Sequence, residues 1–211
     1  IAEMLHAGEL AGPREAALDA LTPELTPLVA DSQEHPLKLP AASILSRKRN
    51  AAAVAYVRSL ALAPTAPTSA RAAALDAWIS SGDTTLVDSL DSLLSASATT
   101  DAARFRRHVF DALTRSNSAD VARRVLAVYP RLEDDLKPAA VELLTSRVAW
   151  SNQLLDAVAD GRVSKDAVNV NQLRKLLKTG DKNLAKRVEQ TWGALRADRN
   201  PAREQVVAAI R

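Results

Sequence analysis

The sequence predicts an all-α protein, and within that class an α-solenoid of about five stacked helix pairs. Apolar residues make up 47% of the 211 residues, but aromatic residues make up only 3% and there are 6 glycines, so most of the apolar content is Ala, Leu and Val. Ala and Leu head the helix propensity scale, whereas the aromatic residues that favour strands are scarce. Apolar residues also recur at helical spacing, and polar breaks recur at a nearly constant interval.

The first 40 residues are the least regular part of the chain. Helical fragments are predicted at 2–10 and 13–21, and Pro13 lies at a first-turn position of the second, where its missing N–H costs nothing. Four prolines then follow closely: Pro23, Pro27, Pro36 and Pro40. Each disfavours helix in the residue before it, so 31–39 is predicted to be a loop. We therefore predict an irregular helical N-terminal segment at 1–40 and a single helical repeat domain at 41–211.

From residue 41 onward, short polar breaks recur every 30 to 35 residues. They fall at Asn50, Asp83, Ser118, Ser151 and Asp181. All five are residue types that cap helix N-termini, and each is preceded by one apolar helix pattern and followed by another. A period near 33 residues with two helices per period predicts an α-solenoid, in which each repeat packs on its neighbours. The uneven spacing favours HEAT-like pairs over ankyrin or TPR repeats, whose consensus residues are absent.

The fifth pair, at 171–193, shows the repeating unit most clearly. Its buried positions are predicted from spacing: Leu173, Leu176 and Leu177 in the first helix, then Leu184, Val188 and Trp192 in the second. Gly180 suits a left-handed residue between the helices, and Asp181 suits the N-cap of the second. Helices this short need tertiary packing to persist, so the pair must stack on a neighbour. A last helix is predicted at 200–211.

The formal charge of +3 is unevenly distributed. Residues 162–211 carry 12 Lys and Arg against 5 Asp and Glu, a net +7, and the rest of the chain is net −4. This basic end could contact an acidic partner domain, nucleic acid or anionic lipid, or it could be a solvated helix face. Six basic residues straddle Gly180 and form the candidate interaction patch: Arg174, Lys175, Lys178, Lys182, Lys186 and Arg187.

Nothing in the sequence predicts a catalytic, cofactor or metal site. With no cysteine there is no disulfide, thiolate ligand or Cys nucleophile, and the common nucleotide, hydrolase and zinc motifs are missing. His6, His35 and His108 lie far apart, and none has a second ligand at helical spacing. We interpret His108 as a residue at the edge of the core. No small-molecule ligand is predicted.

Two further groups of residues have structural interpretations. The acidic triplet at 133–135 (Glu133, Asp134 and Asp135) is typical of a helix start, where negative charge is favourable, rather than of a metal site. Trp78, Trp150 and Trp192 occur about once per helix pair, and we interpret them as core residues rather than a pocket lining. No run is long and apolar enough to predict a membrane span, and the first residues do not resemble a signal peptide.

The later repeats also resemble a known family. The most specific segments are LLDAVADGRV at 154–163, LLKTGDKNLAKRVEQTWG at 176–193 and REQVVAAIR at 203–211. They closely resemble the HEAT-like helical region of large exported planctomycete-type proteins. The pattern at 39–62 and 69–78 is similar, although RKRN stands where a Gly-Asp turn is more usual in that family.

The resemblance implies a context rather than a site. Proteins of this family join a sugar-dehydrogenase-like β-propeller, the HEAT-like region and a C-terminal c-type cytochrome domain. Because this chain has no cysteine, haem c is expected only in a downstream domain of the parent protein. The expectation is therefore an excised part of an exported, periplasmic or envelope-associated protein, whose partners are neighbouring domains of the same polypeptide or another protein.

The leading functional hypothesis from the sequence is a non-catalytic scaffold or spacer that orients the propeller and cytochrome domains. One alternative is a nucleic-acid-binding HEAT-like protein similar to certain DNA glycosylases, and its basis is the basic C-terminal end. Another is a general protein-binding solenoid that holds a peptide in its concave groove. The sequence favours protein partners over nucleic acid.

Overall fold

The computed structural model of the chain describes residues 20–31, 33, 35–95 and 100–193. Within these ranges the protein is all-α, with twelve α-helices, two short 3₁₀ helices and no strand. The α-helices, numbered in chain order, are α1 Thr22–Ala30, α2 Lys38–Arg47, α3 Ala51–Leu62, α4 Thr68–Ser81, α5 Thr85–Asp88, α6 Leu90–Leu94, α7 Thr100–Leu113, α8 Asp120–Val128, α9 Lys137–Leu144, α10 Val148–Ala159, α11 Val170–Leu177 and α12 Lys182–Trp192. The 3₁₀ helices are Tyr129–Arg131 and Lys165–Ala167.

Helix α1 is an element that the proline spacing did not predict. Pro23 lies in its first turn, where a missing N–H has no intrahelical partner to lose, and Pro27 lies inside it. Val29 is buried and α1 packs on α2 and α3, so tertiary packing outweighs the hydrogen bond lost at Pro27. The helical fragments predicted at 2–10 and 13–21 lie outside the described residues, apart from residues 20 and 21.

The predicted loop at 31–39 ends two residues early. Helix α2 already begins at Lys38, so Leu39 is helical although Pro40 follows it. Pro40 is the third residue of α2, and an N–H at that position would have no intrahelical acceptor. The proline therefore costs the helix no hydrogen bond, which explains why the helix starts before it.

Two of the predicted capping residues act as predicted. The Asn50 side chain accepts a hydrogen bond from the Ala53 amide at the start of α3, at 3.0 Å. The Asp181 carboxylate accepts from the Leu184 amide at the start of α12, at 2.8 Å. Gly180 has a φ of 79°, the left-handed conformation predicted for it. These polar residues fix where α3 and α12 begin.

The other predicted caps depart from expectation to different degrees. Asp83 accepts from the Thr85 amide and Ser118 from the Asp120 amide, so each lies just before the formal cap of the next helix. The prediction for Ser151 is wrong, because α10 begins at Val148 and Ser151 lies buried within it. The Ser151 hydroxyl donates back to the carbonyl of Arg147 at 2.8 Å, so its polarity is satisfied inside the helix.

The predicted second helix of the 83–95 region is broken in two. Leu86 and Leu90 lie on one buried face, as their spacing predicts, but the chain leaves regular helix at Ser89, between α5 and α6. The Ser89 hydroxyl donates to the Thr85 carbonyl at 3.0 Å. A serine that bonds to the preceding turn can bend a helix, but Ser151 makes the same bond inside the unbroken α10, so this bond alone does not explain the break.

Contacts between helices form two series along the chain. In one series α2 contacts α4, α4 contacts α7, and α7 contacts α9. In the other, α3 contacts α6, α6 contacts α8, α8 contacts α10, and α10 contacts α12. Helices within a predicted pair also meet in three places: α2 with α3, α9 with α10 and α11 with α12. Each helix therefore packs mainly on helices that lie within three elements of it along the chain.

One hydrophobic cluster runs through the described part of the chain, from Val29 in α1 to Val188 in α12. Its largest fully buried side chains are Trp78, Phe105 and Phe110, in α4 and α7. The apolar positions predicted from helical spacing in the fifth pair, Leu173, Leu176 and Leu184, are also buried. The helical period in the sequence therefore identifies the faces that pack together.

Candidate interaction surface

The candidate patch is carried by α11 and α12, which caps at both N-termini fix in place. At the start of α11, Asn169 accepts from the Gln172 amide and Gln172 accepts from the Asn169 amide, forming a capping box. Leu176 in α11 and Leu184 in α12 are fully buried. Burial of these faces turns most of the basic side chains towards the surface of the helix pair.

Two of the six patch residues bind the preceding helices instead of facing solvent alone. Lys175 Nζ lies 2.8 Å from Glu142 Oε1 in α9. Arg187 donates to Asn152 Oδ1 at 2.8 Å and to Asp156 Oδ1 at 2.5 Å, both in α10. Lys175 and Arg187 therefore connect the last helix pair to the one before it.

The electrostatics at Glu142 reflect this connection. Its other carboxylate oxygen accepts from Gln172 Nε2 at 3.0 Å. The hydrogen bond from Lys175 and the hydrogen bond from Gln172 lower the pKa of Glu142 below its ordinary value, against a smaller opposing effect of burial. The carboxylate is thus held in its charged form by residues of α11.

The remaining four patch residues are exposed: Arg174, Lys178, Lys182 and Lys186. The side chains of these four residues make no hydrogen bond or ion pair with the described residues. Arg174 in α11 and Lys178, the residue directly after α11, are spaced by four residues, as are Lys182 and Lys186 on α12, so each helix presents two cations on one side. Four exposed cations of this kind can attract an acidic surface.

A second set of charged residues was not singled out by sequence reasoning. Five ion pairs join a carboxylate earlier in the chain to an arginine or lysine 31 to 40 residues later: Asp76–Arg115, Asp88–Arg124, Asp91–Arg131, Glu142–Lys175 and Asp156–Arg187. The separations lie near the predicted repeat length. A search for opposite charges at that interval would have found them, although it could not have chosen among the many candidates.

Asp76 is the most connected of these carboxylates. Its Oδ1 lies 3.0 Å from His108 Nε2 and also accepts from Arg115 Nη2, and both partners belong to α7 or the turn that follows it. The hydrogen bond to Asp76 raises the pKa of His108, although burial opposes it. Burial would raise the pKa of Asp76, but the hydrogen bond and charge of His108, with Arg115, lower it overall. His108 is thus a residue at the core edge that joins α7 to α4.

The acidic triplet at 133–135 is engaged by cations. Glu133 pairs with Arg106 at 2.9 Å, Asp134 with Lys137 at 2.7 Å and Asp135 with Arg107 at 3.2 Å. The triplet lies directly before α9, and its ion pairs attach this segment to α7 and to the first turn of α9. Among the described residues, no group of acidic, histidine or cysteine side chains could hold a metal ion.

The three tryptophans lie in different environments. Trp78 and Trp150 are buried, as predicted for core residues. Trp78 Nε1 donates to Asp83 Oδ2 at 3.0 Å, and the guanidinium of Arg147 lies 4.9 Å from the ring centre of Trp150. Trp192 is only partly buried at the end of α12 and donates to the Lys165 carbonyl at 3.2 Å. The tryptophans therefore do not converge on one pocket.

Comparisons with known proteins identify no relative: no family model, no curated protein and no solved structure matches the chain. Across the described residues, no helix has the length and apolar character needed to cross a membrane.

Proposed function

We propose that the chain is a HEAT-like α-solenoid that acts as a non-catalytic scaffold. The observation that carries the proposal is the pair of contact series, α2–α4–α7–α9 and α3–α6–α8–α10–α12. Stacked helix pairs would produce two such series, because each helix of a repeat packs on the corresponding helix of the next. The five ion pairs near the repeat interval add polar contacts of the same kind.

Within that proposal, the array is a spacer that orients a sugar-dehydrogenase-like propeller and a c-type cytochrome domain in an exported, periplasmic or envelope-associated protein. The basis is the resemblance of 154–163 and 176–193 to the helical region of planctomycete-type proteins. The first of these segments covers the end of α10 and the turn at Gly161, and the second covers the end of α11 and all of α12. Haem c would be held by the downstream domain, since this chain supplies no cysteine.

The exposed cations of α11 and α12 suggest how the adjoining domain would be held. Arg174, Lys178, Lys182 and Lys186 would face an acidic surface on that domain, while Lys175 and Arg187 keep the last helix pair attached to α9 and α10. Charge complementarity of this type affects association rate and orientation more than affinity. The patch would therefore select how the neighbouring domain docks.

The docking proposal is tested with the haem domain encoded downstream in the same reading frame, expressed separately. We expect a complex with this chain, or a shift in haem potential, that weakens when Arg174, Lys178, Lys182 and Lys186 are all changed to Ala. The matched control changes Arg104 and Arg123, exposed arginines of α7 and α8, to Ala and should leave binding intact. Absence of any complex at high micromolar concentration would overturn docking.

The same four cations also support a second candidate, a nucleic-acid-binding HEAT-like protein. If all four contacted phosphates, the logarithm of the duplex binding constant would fall with the logarithm of salt with a slope of about −3 to −4. Titration of a fluorescent duplex at low and moderate salt measures this slope. No binding at low salt would remove the nucleic-acid hypothesis and leave the protein scaffold.

A general protein-binding solenoid is the third candidate and differs from the spacer in where its partner lies. A peptide partner would occupy the concave side of the array rather than the α11 and α12 end. Cross-linking to a bound partner, with the cross-linked residues identified, separates the two, because contacts on the basic patch support the spacer.

A further inference from the structure

A groove crosses the turns that follow α2, α4 and α7. It consists of two adjoining cavities of about 390 and 630 Å³ that share Arg49, Gly82, Asp83 and Thr84 in their walls. The larger cavity continues to the turn at 115–118, and the smaller one continues to Arg58 in α3. We call this feature the turn groove. Its size is that of ordinary small-ligand pockets.

The backbone of Arg49 is unusual for a residue with a side chain. Its φ of 57° is left-handed, and it is the only described residue other than glycine with a positive φ. The turns after α4 and α11 use Gly82 and Gly180 for the same conformation, with φ of 70° and 79°. Glycine adopts this conformation without the steric cost that Arg49 incurs. An arginine kept at this position therefore suggests that its side chain has a role that glycine could not fill.

The Arg49 side chain extends into the turn groove. Its Nη2 lies 3.6 Å from the position that a Cβ on Gly82 would occupy, so the guanidinium covers the turn after α4. Arg49 is exposed, and its guanidinium makes no hydrogen bond or ion pair with the described residues. Its five N–H donors are therefore available to a ligand.

The walls of the turn groove carry excess positive charge. They contain four arginines and one carboxylate, Asp83. Arg115 is paired with Asp76, so the excess charge is assigned to Arg49 and Arg58. Asp83 already accepts from Trp78 Nε1 and from the Thr85 amide and hydroxyl. Burial would raise the pKa of Asp83, but these hydrogen bonds and the charge of Arg58 lower it overall. The single carboxylate of the groove wall therefore already has hydrogen-bond donors within the protein.

The turn at 115–118 adds hydroxyl donors. Ser116 Oγ accepts from the Ser118 amide and Ser118 Oγ accepts from the Asp120 amide, which leaves the hydroxyl hydrogen of each free to donate. Arg115 uses one terminal nitrogen on Asp76 and retains other N–H groups. The wall therefore holds spare donors, while its one carboxylate is already bonded.

We propose that the turn groove binds a small oxyanionic ligand, a phosphate ester or a polycarboxylate, with Arg49 as its main contact. Guanidinium groups bind phosphate and carboxylate through paired N–H donors, and hydroxyl donors complete the coordination of such oxygens. The excess of donors over acceptors fits an oxyanion and disfavours a cation or a neutral ligand that needs acceptors. This site is distinct from the α11 and α12 patch and does not depend on the scaffold proposal.

The test is isothermal titration of the chain with pyrophosphate and with citrate, at constant ionic strength. The decisive variant is Arg49→Gly, since it installs the residue that the turns after α4 and α11 already use. We expect this variant to be at least as stable in thermal unfolding as the unchanged chain, and to bind the tighter of the two anions about tenfold or more weakly. The matched control is Arg104→Ala, an exposed arginine of α7 outside the groove and outside the α11 and α12 patch, which should bind normally.

Preference for pyrophosphate over citrate would assign a phosphate ligand, and the reverse a carboxylate ligand. The proposal is overturned if neither anion binds more tightly than roughly 1 mM at low salt, an affinity typical of weak association. Equal binding by the Arg49→Gly variant, or an equal loss in the Arg104→Ala control, would also overturn it. A loss of binding caused by unfolding of a variant would be recognised, because thermal unfolding is measured on the same samples.

Discussion

The junction between α4 and α7 and the junction between α10 and α12 each join one helix to the next in its contact series. Different side chains stabilise the two junctions. Between α4 and α7, Arg71 and Phe105 are both buried, and the Arg71 guanidinium lies 3.9 Å from the Phe105 ring centre. Arg71 Nε also donates to the Ala61 carbonyl of α3 at 3.1 Å, so one side chain joins three helices. The α10–α12 junction has aliphatic residues such as Leu184 and the Arg187–Asp156 pair.

The difference indicates that stability is graded along the chain. Buried aromatic area and a buried, bonded arginine stabilise the α4–α7 junction, whereas a partly exposed ion pair contributes little at the α10–α12 junction. Exposed regions with fewer buried contacts open at lower free energy than the interior. We therefore expect α11 and α12 to open independently of α4 and α7.

The largest expected effect comes from Phe105→Ala. Loss of a ring that is 1% exposed should lower the free energy of unfolding by about 3–5 kcal/mol, because it removes buried area and leaves a cavity beside Arg71. Urea denaturation followed by circular dichroism measures the change. A loss below about 1 kcal/mol, the size expected for a surface position, would contradict the assignment of this junction as the most stable one.

Leu184→Ala should cost about 2–4 kcal/mol locally, and if the chain forms the proposed solenoid its effect should be confined to α11 and α12. In a stacked array the last pair can open while the others stay folded. Hydrogen exchange measured by mass spectrometry should therefore accelerate in α11 and α12 and remain unchanged in α4 and α7. Uniform acceleration over the described chain would instead indicate one cooperative globule and would count against the solenoid.

Asp76→Asn should destabilise the α4–α7 junction by about 1–2 kcal/mol, because it weakens the partly buried hydrogen bonds to His108 and Arg115. Thermal unfolding of the variant measures the loss. Asp101→Asn is a suitable control, since that carboxylate is 70% exposed and pairs only with Arg104 of the same helix. The control should unfold within error of the unchanged chain.

The pH dependence of His108 gives a smaller effect, under about 1 kcal/mol. Because its folded-state pKa is raised, the stabilisation is complete below the unfolded pKa of about 6.5 and is lost as pH rises through the folded value. The lowered pKa of Asp76 maintains its own contribution above about pH 4. The stability difference between the unchanged chain and His108→Gln should therefore shrink from pH 5.5 to pH 8.5; a constant difference would refute the ion pair.

The smallest effect is expected at the Lys175–Glu142 pair. A double-mutant cycle with Lys175→Met and Glu142→Gln should give a coupling of about 0.2–1 kcal/mol, because both side chains are about half exposed and screened by water. The coupling should fall further in 0.5 M salt. A salt-independent coupling above 2 kcal/mol would mean that the α11 end is as rigidly held as the α4–α7 junction.

Much of the fold follows from local signals in the sequence. Asn50 and Asp181 cap as predicted and Gly180 is left-handed, because capping and φ depend on a few neighbouring residues. The all-α class follows from composition and apolar spacing in the same way. Ser151 was misassigned because the sequence does not distinguish a capping serine from one that bonds back within a helix.

The parts that the sequence did not predict depend on tertiary packing. Helix α1 persists despite two prolines because Val29 is buried against the rest of the chain. The candidate patch was predicted from charge alone, yet Lys175 and Arg187 pair with carboxylates of α9 and α10, which only the packing of the helices determines. The turn groove could not be foreseen, since it joins residues from three turns.

Five ion pairs have the carboxylate earlier in the chain and the cation 31 to 40 residues later, whereas Arg106–Glu133 and Arg107–Asp135 run in the opposite order. In the five pairs the two sides are unlike, as in a head-to-tail interface. A unit that carried both such a carboxylate and such a cation would present unlike charges to its two neighbours, so only one order of stacking would bring opposite charges together.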